Sequence, residues 1–225
     1  MFGSTLIKNF ARETLNGKGF GRILFNLELQ KRECSGNILD IGSGKNRASL
    51  YRFLRMDKNA LIKRLDVIPD YKPDFLLDIE KDKVLVADGF FDFVFAFSII
   101  EHLADCRNLL KEVHRILKPR GKLLGSMPFL VNVHPDPHDY VRFTREKLEI
   151  IFREAGFKEI EIIAIGQGPF VAAYCCIEFI IPRILRLFSA PSALFLDKLI
   201  QKIKPSINFK EKYPIGYMFE LKNYE

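Results

Sequence analysis

Cysteine is scarce and unpatterned in this chain. Cys34, Cys106, Cys175 and Cys176 are its four thiols, with no C-x-x-C pair and no zinc spacing among them. That excludes a disulfide framework and implies a reducing, cytosolic setting. The first residues lack a long apolar stretch followed by a small-residue cleavage site, so no signal peptide is expected. No internal repeat is present. Nor does any uncharged run reach the roughly 20 apolar residues a bilayer span requires; Pro169 to Ile181 comes nearest and is interrupted by Glu178. Excess charge is missing from the middle of the chain. Residues 1–33 hold six Lys/Arg against three Asp/Glu, residues 182–225 hold eight against four, and residues 34–181 hold 21 of each. The net +7 therefore sits on the two ends, which suits an anionic surface touched by the periphery, membrane or nucleic acid, or else ordinary solvated lysine.

The 48% hydrophobic fraction is ample for a core, and 225 residues fit one large domain with additions. Residues 1–36 read as a helical lead-in: Leu6, Ile7, Phe10 and Ala11 share one spacing, Gly17, Gly19 and Gly21 break it, and Ile23, Leu24 and Leu27 resume it. From Asn37 onward strand and helix signals alternate. Strands are expected at 37–41, 60–67, 75–79, 91–97, 122–127, 160–165 and 216–221. Helices are expected around 48–54, at 105–117 ahead of Lys118-Pro119-Arg120-Gly121, and from Thr144 to Gly156. This pattern predicts an α/β fold, a seven-stranded, mostly parallel sheet with helices on both faces. Residues 37–225 are expected to form that domain, with a helical insertion at about 169–210 before the last strand.

The stretch Asn37 to Gly44 organises the chain. An apolar strand ends on Asp40, and Gly42 and Gly44 flank Ser43 in a turn that lets a ligand approach bare backbone. A dinucleotide fingerprint needs a third glycine at position 47, where Arg47 stands. Asp66-Val67 closes the second strand and Asp78-Ile79 the third. Phe91 to Phe97 is nearly all apolar, as a strand buried on both faces should be, and it runs into Ser98 and then Glu101-His102-Leu103. A loop dense in ionisable groups follows, His134-Pro135-Asp136-Pro137-His138-Asp139-Tyr140-Val141-Arg142-Phe143-Thr144.

In this order the motifs resemble those of class I S-adenosylmethionine-dependent methyltransferases, of the type 11 kind, from about Asn37 to Phe157. Asn46 takes the place of the family's third glycine, and Arg120 that of a glycine after Lys118-Pro119. The resemblance implies a Rossmann-like fold and S-adenosyl-L-methionine as cofactor. It implies that Asp40 holds the cofactor's amino group, that Gly42, Ser43 and Gly44 pack against its methionine part, and that Asp66, with Val67, receives the ribose. Asp78 and Ile79 would line the adenine, and Phe97 and Ser98 would lie beside the sulfonium; Asp78 as a turn cap is the alternative.

The histidine-rich loop resembles one found in methyltransferases near lipid and surface-polysaccharide biosynthesis. His134, His138 and Asp139 are the candidate groups for taking a hydroxyl proton, and His102 could face the substrate. The other reading is a hydrogen-bonded lid in which Asp139 pairs with Arg142. His134, Asp136, His138 and Asp139 are all ligand types, but the prolines prevent a helical i,i+4 pair, so no metal is assigned. The expected activity is O-methylation of a glycan, lipid-linked sugar or lipid-like acceptor. The alternatives are a catalytically silent cofactor-binding scaffold at a membrane, or an RNA/DNA methyltransferase. Against the last, no Asn/Asp-Pro-Pro-Tyr follows the fourth strand, and basic residues flank apolar stretches instead of aromatic platforms. For 169–210 the sequence offers a helical hairpin in a membrane interface, with Arg183, Arg186, Lys198, Lys202 and Lys204 beside apolar residues. Helices covering their own sheet, or a homodimer contact, are the alternatives. A cytoplasmic protein, peripheral on the inner membrane face, is the expected location.

Overall fold

The computed structural model describes residues 4–45 and 49–224. Asn46, Arg47 and Ala48 lie outside the described residues. Along the chain come α1 (Ser4–Leu15), α2 (Phe20–Leu29), β1 (Glu33–Cys34), β2 (Asn37–Ile41), β3 (Arg55–Met56), β4 (Leu61–Asp66), β5 (Phe75–Leu76), β6 (Phe91–Phe97), α3 (Arg107–Ile116), β7 (Leu117–Pro128), α4 (Arg145–Glu154), β8 (Glu159–Ile165), α5 (Pro169–Ile177), α6 (Arg183–Ile203), α7 (Phe209–Lys212) and β9 (Gly216–Lys222). They form two compact units. One comprises Leu29–Pro128, Val133–Ile163 and Tyr217–Glu225, the other Met1–Glu28, Phe129–Asn132 and Ala164–Gly216.

The first unit is built on a seven-stranded sheet of order β5-β4-β2-β6-β7-β9-β8. β2 pairs in parallel with β4 and β6, β4 with β5, and β6 with β7. β2 and β6 lie at the centre because their side chains are apolar on both faces: Ile38, Leu39, Phe91, Val94, Phe95 and Ala96 are all fully buried. After β2 the chain moves outward to β4 and β5, then returns to lay β6 on the other side of β2. The strand order thus reverses between β2 and β6, and a ligand crevice is expected at the carboxyl ends of those two strands.

Three elements differ from their expected form. The helix expected over 48–54 is a five-residue 3₁₀ turn, Ser49–Phe53. Leu54 N–H closes it on Tyr51 C=O, and the chain leaves at once as β3, paired with β1. The third strand stops at Leu76, because Asp78 accepts the Glu80 N–H and turns the chain. Lys118 to Gly121 does not separate a helix from a distant strand. It bulges within β7, whose Leu117 and Lys122 pair with Phe91 and Phe93 of β6.

The second unit is helical. Phe20, Val171, Tyr174, Ala190 and Ala193 form its core, with Phe10, Leu24, Cys175, Ile181 and Leu194 packed around them. Two carboxylates pin its helices end-on. Glu178 accepts the Phe20 N–H with both oxygens at the start of α2. Asp197, fully buried on α6, accepts the N–H groups of Phe170 and Val171 at the start of α5. Each carboxylate satisfies amides that a helix start leaves unpaired and lies at the positive end of its dipole. Ala190, Ala193 and Asp197 mark the buried face of α6. Elsewhere on the helix Ile184, Phe188, Phe195, Leu199 and Ile203 are exposed, Phe188 by 70%. No described helix is long and apolar enough to cross a membrane.

Candidate active site

The glycine turn leaves the carboxyl end of β2 with Gly42 at φ 68° and Gly44 at φ 67°, left-handed geometry that side chains resist. A Cβ on Gly42 would stand 1.9 Å from Ile99 Cδ1, so a side chain here would have to displace the isoleucine tip as well as take left-handed backbone. A Cβ on Gly44 would meet no described atom within 4 Å, so there the turn is open. Between them Ser43 is buried, and its hydroxyl finds no partner among the described residues. Bare backbone, open space and an orphaned hydroxyl together fit a polar ligand held against this turn.

Asp66 organises the turn from β4. One oxygen accepts the Gly44 N–H and the other the Ile68 N–H, each at 3.0 Å. Each oxygen keeps a second lone pair for a ribose hydroxyl. Val67, the next residue, is exposed. Asp40 is buried and accepts a short hydrogen bond from the Tyr51 hydroxyl. Burial pushes its carboxyl up to about 7, with the Tyr51 hydrogen bond opposing and the nearby Asp66 adding to the rise. A buried carboxyl poised this way accepts an ammonium partner readily. Tyr51 lies in the stretch expected as a helix around 48–54, and its spacing of 11 residues from Asp40 carries no signal of this contact. Asp78 spends its oxygens on the Glu80 N–H and on Lys81 at 3.0 Å, and Ile79 is buried.

At the carboxyl end of β6, Phe97 is partly buried and Ser98 turns the chain at φ 55°, an uncommon geometry for a non-glycine residue. Ser98 N–H donates to Ser126 C=O across to β7. Three residues on, Glu101 is wholly buried. Neither of its oxygens closes a hydrogen bond of normal geometry with a described residue. Burial pushes its carboxyl up to about 7, opposed by its own backbone N–H, Arg142 and Ser98.

Two histidines face this carboxylate. His102 Nε2 lies 3.9 Å and His134 Nε2 4.0 Å from Glu101 Oε1, with the rings edge to face at 5.5 Å. The histidine-rich loop is tied here because Tyr140 N–H donates to Glu101 C=O. Asp139 accepts the His134 backbone N–H and receives both terminal nitrogens of Arg142, which hold its carboxyl well below the usual range. The lid-forming pair expected from sequence is therefore present, and it orients His134. His138 contributes its carbonyl, to His102 Nδ1, while its exposed ring lies against Tyr140. The structure thus gathers His102, His134 and Asp139 and leaves the His138 imidazole outside. Glu101, given no role of its own by the sequence, is the centre of the group; its separation of 33 residues from His134 hides the association.

Residues 39–125 match the family model described as a methyltransferase domain. No curated protein matches the chain. Among solved structures it is similar to a SAM-dependent methyltransferase from Archaeoglobus fulgidus, at 16% identity and TM-score 0.57 over 90% of this chain and 94% of that one. It is also similar to the Haemonchus contortus phosphoethanolamine N-methyltransferase 2 in complex with S-adenosyl-L-methionine, at 19% identity and TM-score 0.52 over 89% of this chain. The chain spans about half the length of that enzyme, 52%. A third likeness is to the methyltransferase bound to the Trm112 activator of Haloferax volcanii, at 18% identity and TM-score 0.56 over 96% of this chain and 98% of the other. These likenesses establish the Rossmann-like methyltransferase fold.

Proposed function

We propose that this chain, whose residues 39–125 match a methyltransferase-domain model, is an S-adenosylmethionine-dependent methyltransferase that acts on a hydroxyl oxygen of a glycan, lipid-linked sugar or other lipid-like acceptor presented at a membrane face. One observation carries the hydroxyl reading: the buried Glu101 facing His102 and His134 just beyond Ser98. Methyl transfer from a sulfonium is an in-line displacement that needs alignment at about 3 Å and exclusion of water. An amine or thiolate needs little more, whereas a neutral hydroxyl must lose its proton as the bond forms. A carboxylate–histidine group beside the sulfonium position answers that need. On this reading Asp40 holds the cofactor's ammonium, Asp66 its ribose, Asp78 and Ile79 border the adenine, and Phe97 and Ser98 flank the methyl.

The acceptor's setting is inferred from the helical unit. Ile177, Phe179, Ile180, Ile184, Phe188 and Phe195 are exposed, and Arg183, Lys198, Lys202 and Lys204 stand exposed on the same stretch. An apolar face with cations beside it lies well in the headgroup region of an anionic bilayer.

The test is transfer of labelled methyl from S-adenosylmethionine to hydroxyl-bearing acceptors, scored by whether the product linkage is an ether. His134→Ala should lower kcat by about 10²-fold or more while S-adenosylhomocysteine binding stays intact. A labelled amine or base product, or full activity in His134→Ala, overturns the hydroxyl reading. Flotation with phosphatidylglycerol vesicles tests the membrane reading. Recovery of the protein with the soluble fraction, or a dimer in sedimentation that Phe188→Ser disperses, overturns it in favour of a second copy of the chain.

A further inference from the structure

Glu101, His102 and His134 have a feature that acid–base chemistry alone does not require. Both imidazoles turn the same nitrogen, Nε2, toward one carboxylate oxygen. One ligand atom from each residue lies within 4.8 Å of the other two. Their remaining nitrogens face hydrogen-bond acceptors. His102 Nδ1 meets the His138 carbonyl, and His134 Nδ1 lies 3.6 Å from Asp139 Oδ2. A metal-bound histidine characteristically donates its second ring N–H to a carbonyl or carboxylate, which fixes the tautomer and aims the lone pair of the other nitrogen. Arg142 Nη2 stands 3.5 Å from His134 Nδ1 but makes its closer bonds to Asp139. At the centre, Glu101 is 0% exposed, and neither of its oxygens closes a hydrogen bond of normal geometry or a direct ion pair with Lys or Arg among the described residues. His134 is 41% exposed and gives an approach from solvent.

We propose that Glu101 Oε1, His102 Nε2 and His134 Nε2 form a binding site for one divalent transition-metal ion. Two imidazoles and one carboxylate suit first-row ions such as Zn²⁺, Mn²⁺ or Fe²⁺, which accept mixed nitrogen and oxygen donors and leave positions for exchangeable ligands. Bonds of about 2.1 Å would set tetrahedral ligand atoms roughly 3.4 Å apart, so the side chains close in by about half an ångström or more. The site has the composition to bind an acceptor hydroxyl. This role rests on the hydroxyl reading above, with the ion taking the place of the histidines as the group that activates the hydroxyl; the metal site itself does not rest on that reading. The bound hydroxyl releases its proton to solvent water, its oxygen forms the bond to the methyl carbon as the S–CH₃ bond breaks, and S-adenosylhomocysteine leaves neutral.

The experiment uses metal-stripped full-length protein titrated with Mn²⁺, followed by electron paramagnetic resonance, and with Co²⁺, followed by visible absorption. S-adenosylhomocysteine titrations run in parallel as the measure of folding and cofactor binding. The expected result is saturable binding of one ion, weakened about tenfold or more by Glu101→Gln and by His134→Ala, and by about 10–100-fold in Asp139→Asn through loss of histidine orientation. Glu149→Gln, on the exposed face of α4, should bind metal as the unaltered chain does. Because His134 is partly exposed, His134→Ala is expected to fold even if Glu101→Gln does not. Absence of saturable binding, or unchanged affinity in His134→Ala, overturns the proposal. So does loss of methyl transfer in these variants with metal affinity intact, which assigns the cluster to proton transfer. Failure of S-adenosylhomocysteine binding in the unaltered chain strikes the cofactor assignment instead.

Discussion

The sheet unit and the helical unit spend their carboxylates and their apolar surface differently. In the sheet unit most apolar side chains of the central strands are fully buried, and two acids, Asp40 and Glu101, are buried at the carboxyl ends of those strands with carboxyls raised to about 7. In the helical unit the acids Glu178 and Asp197 serve as helix caps, and large apolar side chains stand in the open, Phe179 by 77%. Burial that raises a carboxyl costs stability and is retained where a ligand completes the site. Burial of a capping carboxylate is opposed by the amides it binds, though burial still raises the Glu178 carboxyl above its ordinary value. The contrast teaches that a buried carboxylate serves structure where it caps a helix start, as Glu178 and Asp197 do, and stays open to a ligand where it caps none, as Asp40 and Glu101 do.

The comparison can be broken first at Asp66, whose loss removes both the support of the glycine turn and the expected ribose contact. Asp66→Ala should weaken S-adenosylhomocysteine binding by about 100-fold, roughly 2.7 kcal/mol, read by calorimetry. An unchanged affinity removes the cofactor from this crevice. Next in size is a structural acid: Asp197→Ala leaves two amides at the start of α5, the Val171 one buried and the Phe170 one partly so, without an acceptor and should cost about 2–3 kcal/mol of unfolding free energy in urea titration. A loss below about 0.5 kcal/mol means that the cap is not a major support of the helical unit.

Asp40 gives the third prediction. Its folded-state carboxyl titrates near 7, above its ordinary value of 3.8. Below about 7 the free protein holds it protonated, so binding of an ammonium-bearing cofactor must expel that proton. Affinity should fall about tenfold per pH unit below 7 and level off above it. Calorimetry in buffers of different ionisation enthalpy should register the proton released, and Asp40→Asn should remove the dependence. The same shift acts on stability: the folded state binds more protons than the unfolded one between about 4 and 7, so Asp40 lowers stability as pH rises through that window. The smallest expected effect on folding is on α6. Phe188→Ser with Phe195→Ser should change unfolding free energy by less than about 0.5 kcal/mol, since both side chains are exposed, yet abolish flotation with anionic vesicles. Loss of stability in that variant shows that the face is a buried contact.

Much of the crevice was legible in the sequence because it is built from short, continuous signals. The run Phe91–Phe97 is a strand with those bounds because every residue must suit a central position. Thr144 caps α4 as its place before an apolar stripe requires. The glycines take positive φ because the turn after β2 leaves no alternative. Less legible was anything formed across distance or decided by competition. Tyr51 reaches Asp40 only once the 3₁₀ turn folds back over β2. Glu178, read as a lone charge in an apolar run, finds Phe20 across 158 residues. The third strand is shorter than its apolar pattern because Asp78 competes for the backbone ahead of it.

What the sequence by itself determined is the order of strands and turns, and with it the position of the glycine turn after β2. Hydrophobic periodicity and glycine placement act over a few residues and need no partner to be read. What only the tertiary structure decided is which ionisable groups act together. The return of β6 beside β2 and the tie from Tyr140 to Glu101 bring His102, His134 and Glu101 within reach of one another. Interactions that decay within a few ångströms depend on where the chain folds back, and no local pattern encodes that distance.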